Sequence, residues 1–178
     1  MLELHQRAMR HSVVIVSLVS DWDGPTPCAD WTLRQLVSHM AAVNNGYAAA
    51  AAGASADAWT EAELGQDPRR DYAESADRVV KAFESAEPRL WLPHLGAEVP
   101  SQEAIGYHLL DSVVHAWDVA AALGRMLALE PDLVAVAQKV ASQDGPHRAT
   151  FGPATGADET DPLRKLLART GRDPDWRP

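Results

Sequence analysis

The chain has 178 residues, of which 46% are hydrophobic and 23% are charged, and its formal net charge is −9 at pH 7. These values predict a single folded domain over residues 1–178 and exclude wholesale disorder. So acidic a chain repels phosphate backbones and anionic lipid surfaces, which argues against nucleic-acid and membrane partners.

Helical periodicity accounts for most of the chain. Segments with this patterning are expected from about Leu2 to Trp22, from a cap at Asp30 or Thr32 to Ala52, over about Asp71–Glu87, from Pro100 and Ser101 to Gly124, from Pro131 to about Ser142, and over Leu163–Thr170. The segment 91–96 is interpreted as a tight apolar loop, and no alternation convincingly indicates β-strands. The pattern predicts an all-α fold, a four-helix bundle over about 1–125 with a short C-terminal helical extension over about 126–178.

The single cysteine, Cys28, excludes an intramolecular disulfide and favours a reducing, cytoplasmic location. The apolar run 13–19 is too short to span a bilayer, and Asp21 and Asp23 follow it where a signal peptide would carry small residues. No sequence feature places a base beside Cys28, so packing as a small buried residue is favoured over a nucleophilic role.

A polar face without lysine, arginine or glutamate runs along the fourth helix between His108 and Asp118. Asp111 and His115 are four residues apart, so their side chains lie on the same face, at a spacing that offers two ligands to one ion. A solvated helix face is the ordinary explanation of such a pattern, but it usually carries long charged side chains. Imidazoles and short carboxylates instead suit a borderline divalent metal.

A third ligand is available on the second helix, where His39 flanks the apolar stripe. A hydrogen-bonded core histidine is the simpler interpretation of His39. If it faces the fourth helix, however, His39, Asp111 and His115 form a three-ligand site with an open position, as in catalytic metal sites.

Two further residues on the fourth helix have open roles. His108 could be a fourth ligand, an acid–base group or a partner of a ligand, and lining the pocket is favoured. Asp118 could accept a hydrogen bond from a ligating imidazole and set its tautomer. It could equally pair with an arginine such as Arg34 or Arg125.

Two motifs resemble a known family. The run from Pro25 to His39, PTPCADWTLRQLVSH, and the run from Asp111 to Ala120, DSVVHAWDVA, are similar to the two signatures of the mycothiol-dependent maleylpyruvate isomerase metal-binding domain, within the DinB-like superfamily. The segments 151–153 and 171–176 resemble the C-terminal portion of an uncharacterised branch of that family.

The resemblance implies a divalent ion, usually taken as zinc, held by the positions of His39, Asp111 and His115. Superfamily members often carry histidine or glutamate where this chain has Asp111. The resemblance further implies a small-molecule substrate and a low-molecular-weight thiol such as mycothiol, used in isomerisation or S-transfer. The isomerases carry a separate C-terminal α/β domain, for which this chain has no room after Gly124, so their own reaction is not assigned.

Two rival hypotheses remain. In one, the ion is structural in a non-catalytic metal-binding or stress-associated protein, and a fourth ligand such as His108 closes the site. In the other, the chain binds no metal and is an interaction module. The assembly state is open, with a homodimer as one candidate.

Overall fold

The computed structural model describes residues 1–28, 31–54, 59, 62–156 and 159–178. Over these residues the protein is mostly helical, as predicted. The helices are α1 (Leu2–Val16), α2 (Leu33–Ala51), α3 (Pro68–Glu84), α4 (Ser101–Ala122), α5 (Pro131–Ser142) and α6 (Pro162–Arg169). Along the described parts of the chain, none of the helices combines the length and hydropathy needed to cross a bilayer.

The first four helices form a bundle in which α1 and α2 each pack against both α3 and α4. Apolar side chains that are almost completely buried fill the space between them, including Leu36, Val79, Leu109 and Val113. Helix α5 lies against α4, and α6 lies against α5. The C-terminal segments therefore cover the side of α4 that the bundle leaves open.

A short antiparallel hairpin precedes α4, where the sequence predicted only a loop. Strand β1 (Arg89–Leu92) pairs with β2 (Ala97–Pro100) across a 3₁₀ turn at Pro93–Leu95. Gly96, with a φ of 59°, ends that turn in the left-handed region that favours glycine. The prediction of a loop was wrong because each strand has only four residues, too few for alternation to stand out.

The predicted end of α1 at Trp22 was also wrong, because the helix stops at Val16. The segment after it turns back over the start of α2. There the carbonyls of Trp22 and Gly24 accept hydrogen bonds from the amides of Arg34 and Leu33. The first amides of a helix have no acceptor within the helix, so this segment satisfies two of them.

The start of α2, which carries His39, is fixed by a capping box. The Thr32 hydroxyl accepts a hydrogen bond from the Gln35 amide, and the Gln35 side chain accepts one from the Thr32 amide. The sequence had allowed a cap at either Asp30 or Thr32. The structure shows Thr32 in that role, and Asp30 lies outside the described residues.

Candidate metal centre

The structure brings His39, Asp111 and His115 together between α2 and α4. One ligand atom from each residue lies within 4.8 Å of the others. The Nε2 atom of His115 is 3.5 Å from Oδ1 of Asp111, and the rings of His39 and His115 have centroids 5.2 Å apart. Two imidazole nitrogens and one carboxylate oxygen are a donor set that zinc accepts.

The orientation of His115 is set from behind by Asp118. Nδ1 of His115 donates a hydrogen bond of 2.9 Å to Oδ2 of Asp118, whose side chain is fully buried. This bond fixes the tautomer and leaves Nε2 directed towards Asp111. A carboxylate behind a histidine is the usual support of a ligating imidazole.

The buried charge of Asp118 is balanced by Arg172, from the segment that follows α6. Nη2 of Arg172 lies 2.9 Å from Oδ2 of Asp118, and Nε lies 3.3 Å from both carboxylate oxygens. The same guanidinium donates to the Thr170 carbonyl at 2.8 Å. Neither Arg34 nor Arg125, the partners considered from the sequence, takes this position.

Cys28 belongs to the same group, contrary to the expectation of plain packing. Its Sγ lies 3.2 Å from Oδ2 of Asp118, 3.3 Å from Nη2 of Arg172 and 4.0 Å from Nδ1 of His115. Sequence spacing could not find this arrangement, because Cys28 is 87–144 residues from its three partners along the chain. The thiol therefore adds a polar contact to the support of His115.

The two histidines have opposite pKa shifts. Burial lowers the pKa of His39, so its ring is neutral at pH 7 and keeps a lone pair for a metal. Burial also acts to lower the pKa of His115, but the Asp111 charge and the hydrogen bond to Asp118 outweigh it and raise that pKa to about 10. In the metal-free protein His115 therefore holds a proton that a metal ion has to displace.

Burial acts to raise the pKa of Asp118, but the hydrogen bond from His115 and the charge of Arg172 lower it on balance. The group behind His115 is therefore an ion pair of a carboxylate and a guanidinium, without net charge. It orients the imidazole without adding a net charge of its own.

A cavity of about 300 Å³ opens beside the three converging residues. His39 and Asp111 contribute to its wall. The remaining described lining is largely aromatic or apolar: Ala42, Val43, Tyr47, Trp59, His94, Tyr107, Leu110, His147, Thr150 and Phe151. A small molecule in this cavity would touch two of the three candidate ligands.

His108 does not line this cavity, although the sequence favoured that role. It is completely buried about two turns before His115 on α4, where its Nδ1 lies 2.7 Å from Nε2 of His5. Its ring also packs against Tyr47 and Phe83. The shared face was predicted correctly, but Tyr47 and Phe83 cover it at His108, so this ring lies in the core and not in the cavity wall.

Two cavity residues were missed because they lie in loops. His94, in the turn of the hairpin, has its ring centroid 4.6 Å from that of Trp59. His147 is 3% exposed, stacks on Tyr107 at 4.4 Å and bonds the Val140 carbonyl through Nε2 at 3.0 Å. Their positions beside proline and glycine in loops predict surface or locally hydrogen-bonded histidines. The local bond of His147 is present, but nothing in the sequence indicated its place in the cavity wall.

A family model, two relatives and one solved structure are similar to this chain. The model of the mycothiol maleylpyruvate isomerase N-terminal domain matches residues 7–120. Uncharacterized proteins from two strains of Mycobacterium tuberculosis are each 33% identical over 162 residues, covering 85% of this chain and 80% of the relative. The crystal structure of the mycothiol-dependent maleylpyruvate isomerase superposes with a TM-score of 0.57 at 19% identity. It covers 79% of this chain and 65% of the isomerase, so this chain spans less than two thirds of that protein.

Proposed function

The chain belongs to the mycothiol maleylpyruvate isomerase N-terminal domain family, and we propose that it is a divalent-metal-dependent enzyme that uses a low-molecular-weight thiol. Zinc is the expected metal and mycothiol the expected thiol. The reaction class is an isomerisation or an S-transfer on a small molecule. A cytoplasmic homodimer is the assembly to test, by light scattering and cell fractionation.

The observation that carries this proposal is the one-sided arrangement of His39, Asp111 and His115. Three donor atoms converge next to a cavity. Asp118, which orients His115, contacts the other nitrogen of that ring, Nδ1. Among the residues that the structure describes, no fourth histidine, cysteine or carboxylate joins the three. An open coordination position beside a cavity is typical of a catalytic site.

A divalent ion at this position would lower the pKa of a thiol that enters the open position and would thereby favour the thiolate, which is the nucleophile. The protein's own part is to hold the donor atoms and to keep the site dry. Trp31 packs its ring on His39 at a centroid distance of 4.9 Å, and Asp118 holds His115. Both ligating rings are thus held before any ligand arrives.

The structural-ion hypothesis depended on a fourth ligand, for which His108 was the candidate. His108 instead pairs with His5, and its Nε2 atom is buried without a hydrogen-bond partner in the described structure. The apolar contacts between the helices supply a core that does not depend on an ion. These contacts favour the catalytic hypothesis.

The test is the variant His115→Ala, produced without a histidine tag and compared with His11→Ala. His11 pairs with Glu130 at 2.7 Å, away from the site, and is a matched control. We expect His115→Ala to lose bound zinc and thiol-dependent activity while its helicity by circular dichroism is retained. His11→Ala should keep one zinc per chain.

A steep loss of melting temperature in His115→Ala, together with loss of zinc, would instead show that the ion is structural. Retention of one zinc per chain by His115→Ala would rule out the proposed ligand set altogether. Metal content is measured by mass spectrometry, so neither outcome depends on knowing the substrate.

A further inference from the structure

We infer that the cavity beside His39 and Asp111 takes an uncharged, flat, conjugated molecule as the second substrate, and that it disfavours dicarboxylates. This inference rests on the proposed function for the role of that molecule, but the binding preference follows from the cavity itself. Three observations carry it: the aromatic lining, the absence of a cation for carboxylates, and the position of Trp59.

The lining offers faces of rings on several sides. Tyr47, Trp59 and His94 form one cluster, with centroid distances of 5.3 Å between Tyr47 and Trp59 and 4.6 Å between Trp59 and His94. Tyr107 stacked on His147 forms a second cluster, beside Phe151. Aromatic rings bind other planar groups by stacking and edge-to-face contacts. A cavity of about 300 Å³ is at the small end for ligand sites and suits one ring with a short conjugated substituent.

No lysine or arginine belongs to the described lining of the cavity. None of the ten residues outside the described ranges is basic either, since they are alanine, serine, threonine, aspartate and glutamate. Burial lowers the pKa of His94 and His147, so these two rings carry no charge at pH 7. A carboxylate entering the cavity would lose water and gain no cationic partner from the described lining residues.

The charges of a site that holds a divalent ion and a thiolate lead to the same conclusion. A divalent ion carries +2, and Asp111 together with an incoming thiolate carries −2, so no net charge is left for a second anion. Behind His115, Arg172 is already paired with Asp118 at 2.9 Å. Arg148, which follows the cavity residue His147 in the chain, is paired with Asp144 at 3.0 Å.

Trp59 can occupy its position because the residue next to it on α2 is a glycine, Gly46. A Cβ atom added to Gly46 would lie 2.5 Å from the Trp59 ring, closer than any real contact. Gly46 lies inside a helix, where glycine is normally unfavourable by about 1 kcal/mol relative to alanine. The missing side chain lets the indole pack directly on α2 and line the cavity. The substitution Gly46→Ala should therefore displace Trp59 while raising the helix propensity of α2.

The experiment uses zinc-loaded protein saturated with mycothiol and three probes measured by calorimetry: cinnamamide, cinnamate and fumarate. The first two have nearly the same shape and differ in charge, and fumarate is a dicarboxylate without a ring. We expect cinnamamide to bind at least about tenfold more tightly than cinnamate, because the cavity cannot compensate a carboxylate. Fumarate should show no binding.

Gly46→Ala should weaken cinnamamide binding by about three- to tenfold, the value of one aromatic contact, with helicity unchanged. The control Trp91→Ala removes an exposed tryptophan from β1 and should leave the affinity unchanged. Equal or tighter binding of cinnamate or fumarate would overturn the inference, as would the absence of binding by all three probes.

Zinc and mycothiol binding are measured first, so that the two proposals fail separately. If neither binds but cinnamamide is still preferred, the proposed function is wrong and the cavity preference stands. If both bind and fumarate is preferred, only the inference about the second substrate is overturned.

Discussion

The ion pair between Arg172 and Asp118 offers the sharpest test of how the site is held. The Asp118 side chain has no exposed area and that of Arg172 is 11% exposed, at a separation of 2.9 Å. Replacing Arg172 with methionine keeps much of the packing volume and leaves the buried carboxylate without its cation. Breaking a buried pair in this way typically costs about 3–5 kcal/mol.

The lower end of that range is expected, because Asp118 keeps its hydrogen bonds with His115 and Cys28. A loss of about 3 kcal/mol corresponds to a fall of about 6–12 °C in melting temperature for a chain of this size. In the metal-free protein, the protonated His115 still balances part of the Asp118 charge. Asp118 also orients the His115 ring, so Arg172→Met, which removes a hydrogen-bond partner of Asp118, should weaken zinc binding by about 10–100-fold.

The assays are a thermal melt and a zinc competition titration on four proteins: the parent, Arg172→Met, Asp118→Asn and the double variant. Removing both charges leaves no ion uncompensated, so the double variant should recover much of the stability lost in Arg172→Met. The control Arg148→Met removes an exposed ion pair with Asp144 and should change neither quantity. Equal melting temperatures for the parent and Arg172→Met, or no recovery in the double variant, would refute the reasoning.

Two further predictions concern pH. The proton on His115 has to leave before a metal binds, so apparent zinc affinity should rise by up to about tenfold per pH unit between pH 6 and 8, as measured with a chelating dye. A zinc affinity that does not change with pH would show that His115 is already neutral in the metal-free protein. Burial lowers the pKa of His5 to about 3, so between pH 6.5 and 3 the unfolded chain binds a proton that the folded chain does not. Stability should fall with acid by about 1.4 kcal/mol per pH unit from this group. Urea titrations should show a shallower dependence in His5→Leu.

The sequence predicted the helical fold, the bundle and the three converging residues, because each depends on local patterns. Helical periodicity and the four-residue spacing of Asp111 and His115 are properties of neighbouring residues. The placement of His39 required one further assumption, that α2 and α4 are neighbours, which the structure shows.

What the sequence could not predict depends on contacts between distant segments. Arg172 reaches Asp118 from 54 residues away, and His5 reaches His108 from 103 residues away. For His94 and His147, a position in a loop predicts a surface or locally hydrogen-bonded side chain, because loops usually run over the surface. Here the hairpin and the segment before α6 place both rings in the cavity wall.

The two ring nitrogens of His115 have separate roles. This division explains why α4 carries an unusual pattern of polar residues. Nε2 faces Asp111, which lines the cavity where a ligand and its charge can change. Nδ1 faces Asp118, whose charge is already neutralised by the C-terminal segment. A neutral support keeps the ring fixed without adding negative charge to the cavity, so in the proposed site the charge of a bound metal would remain available to a thiolate. By this argument the C-terminal segment is required for the site to work, although none of its residues is among the three proposed ligands.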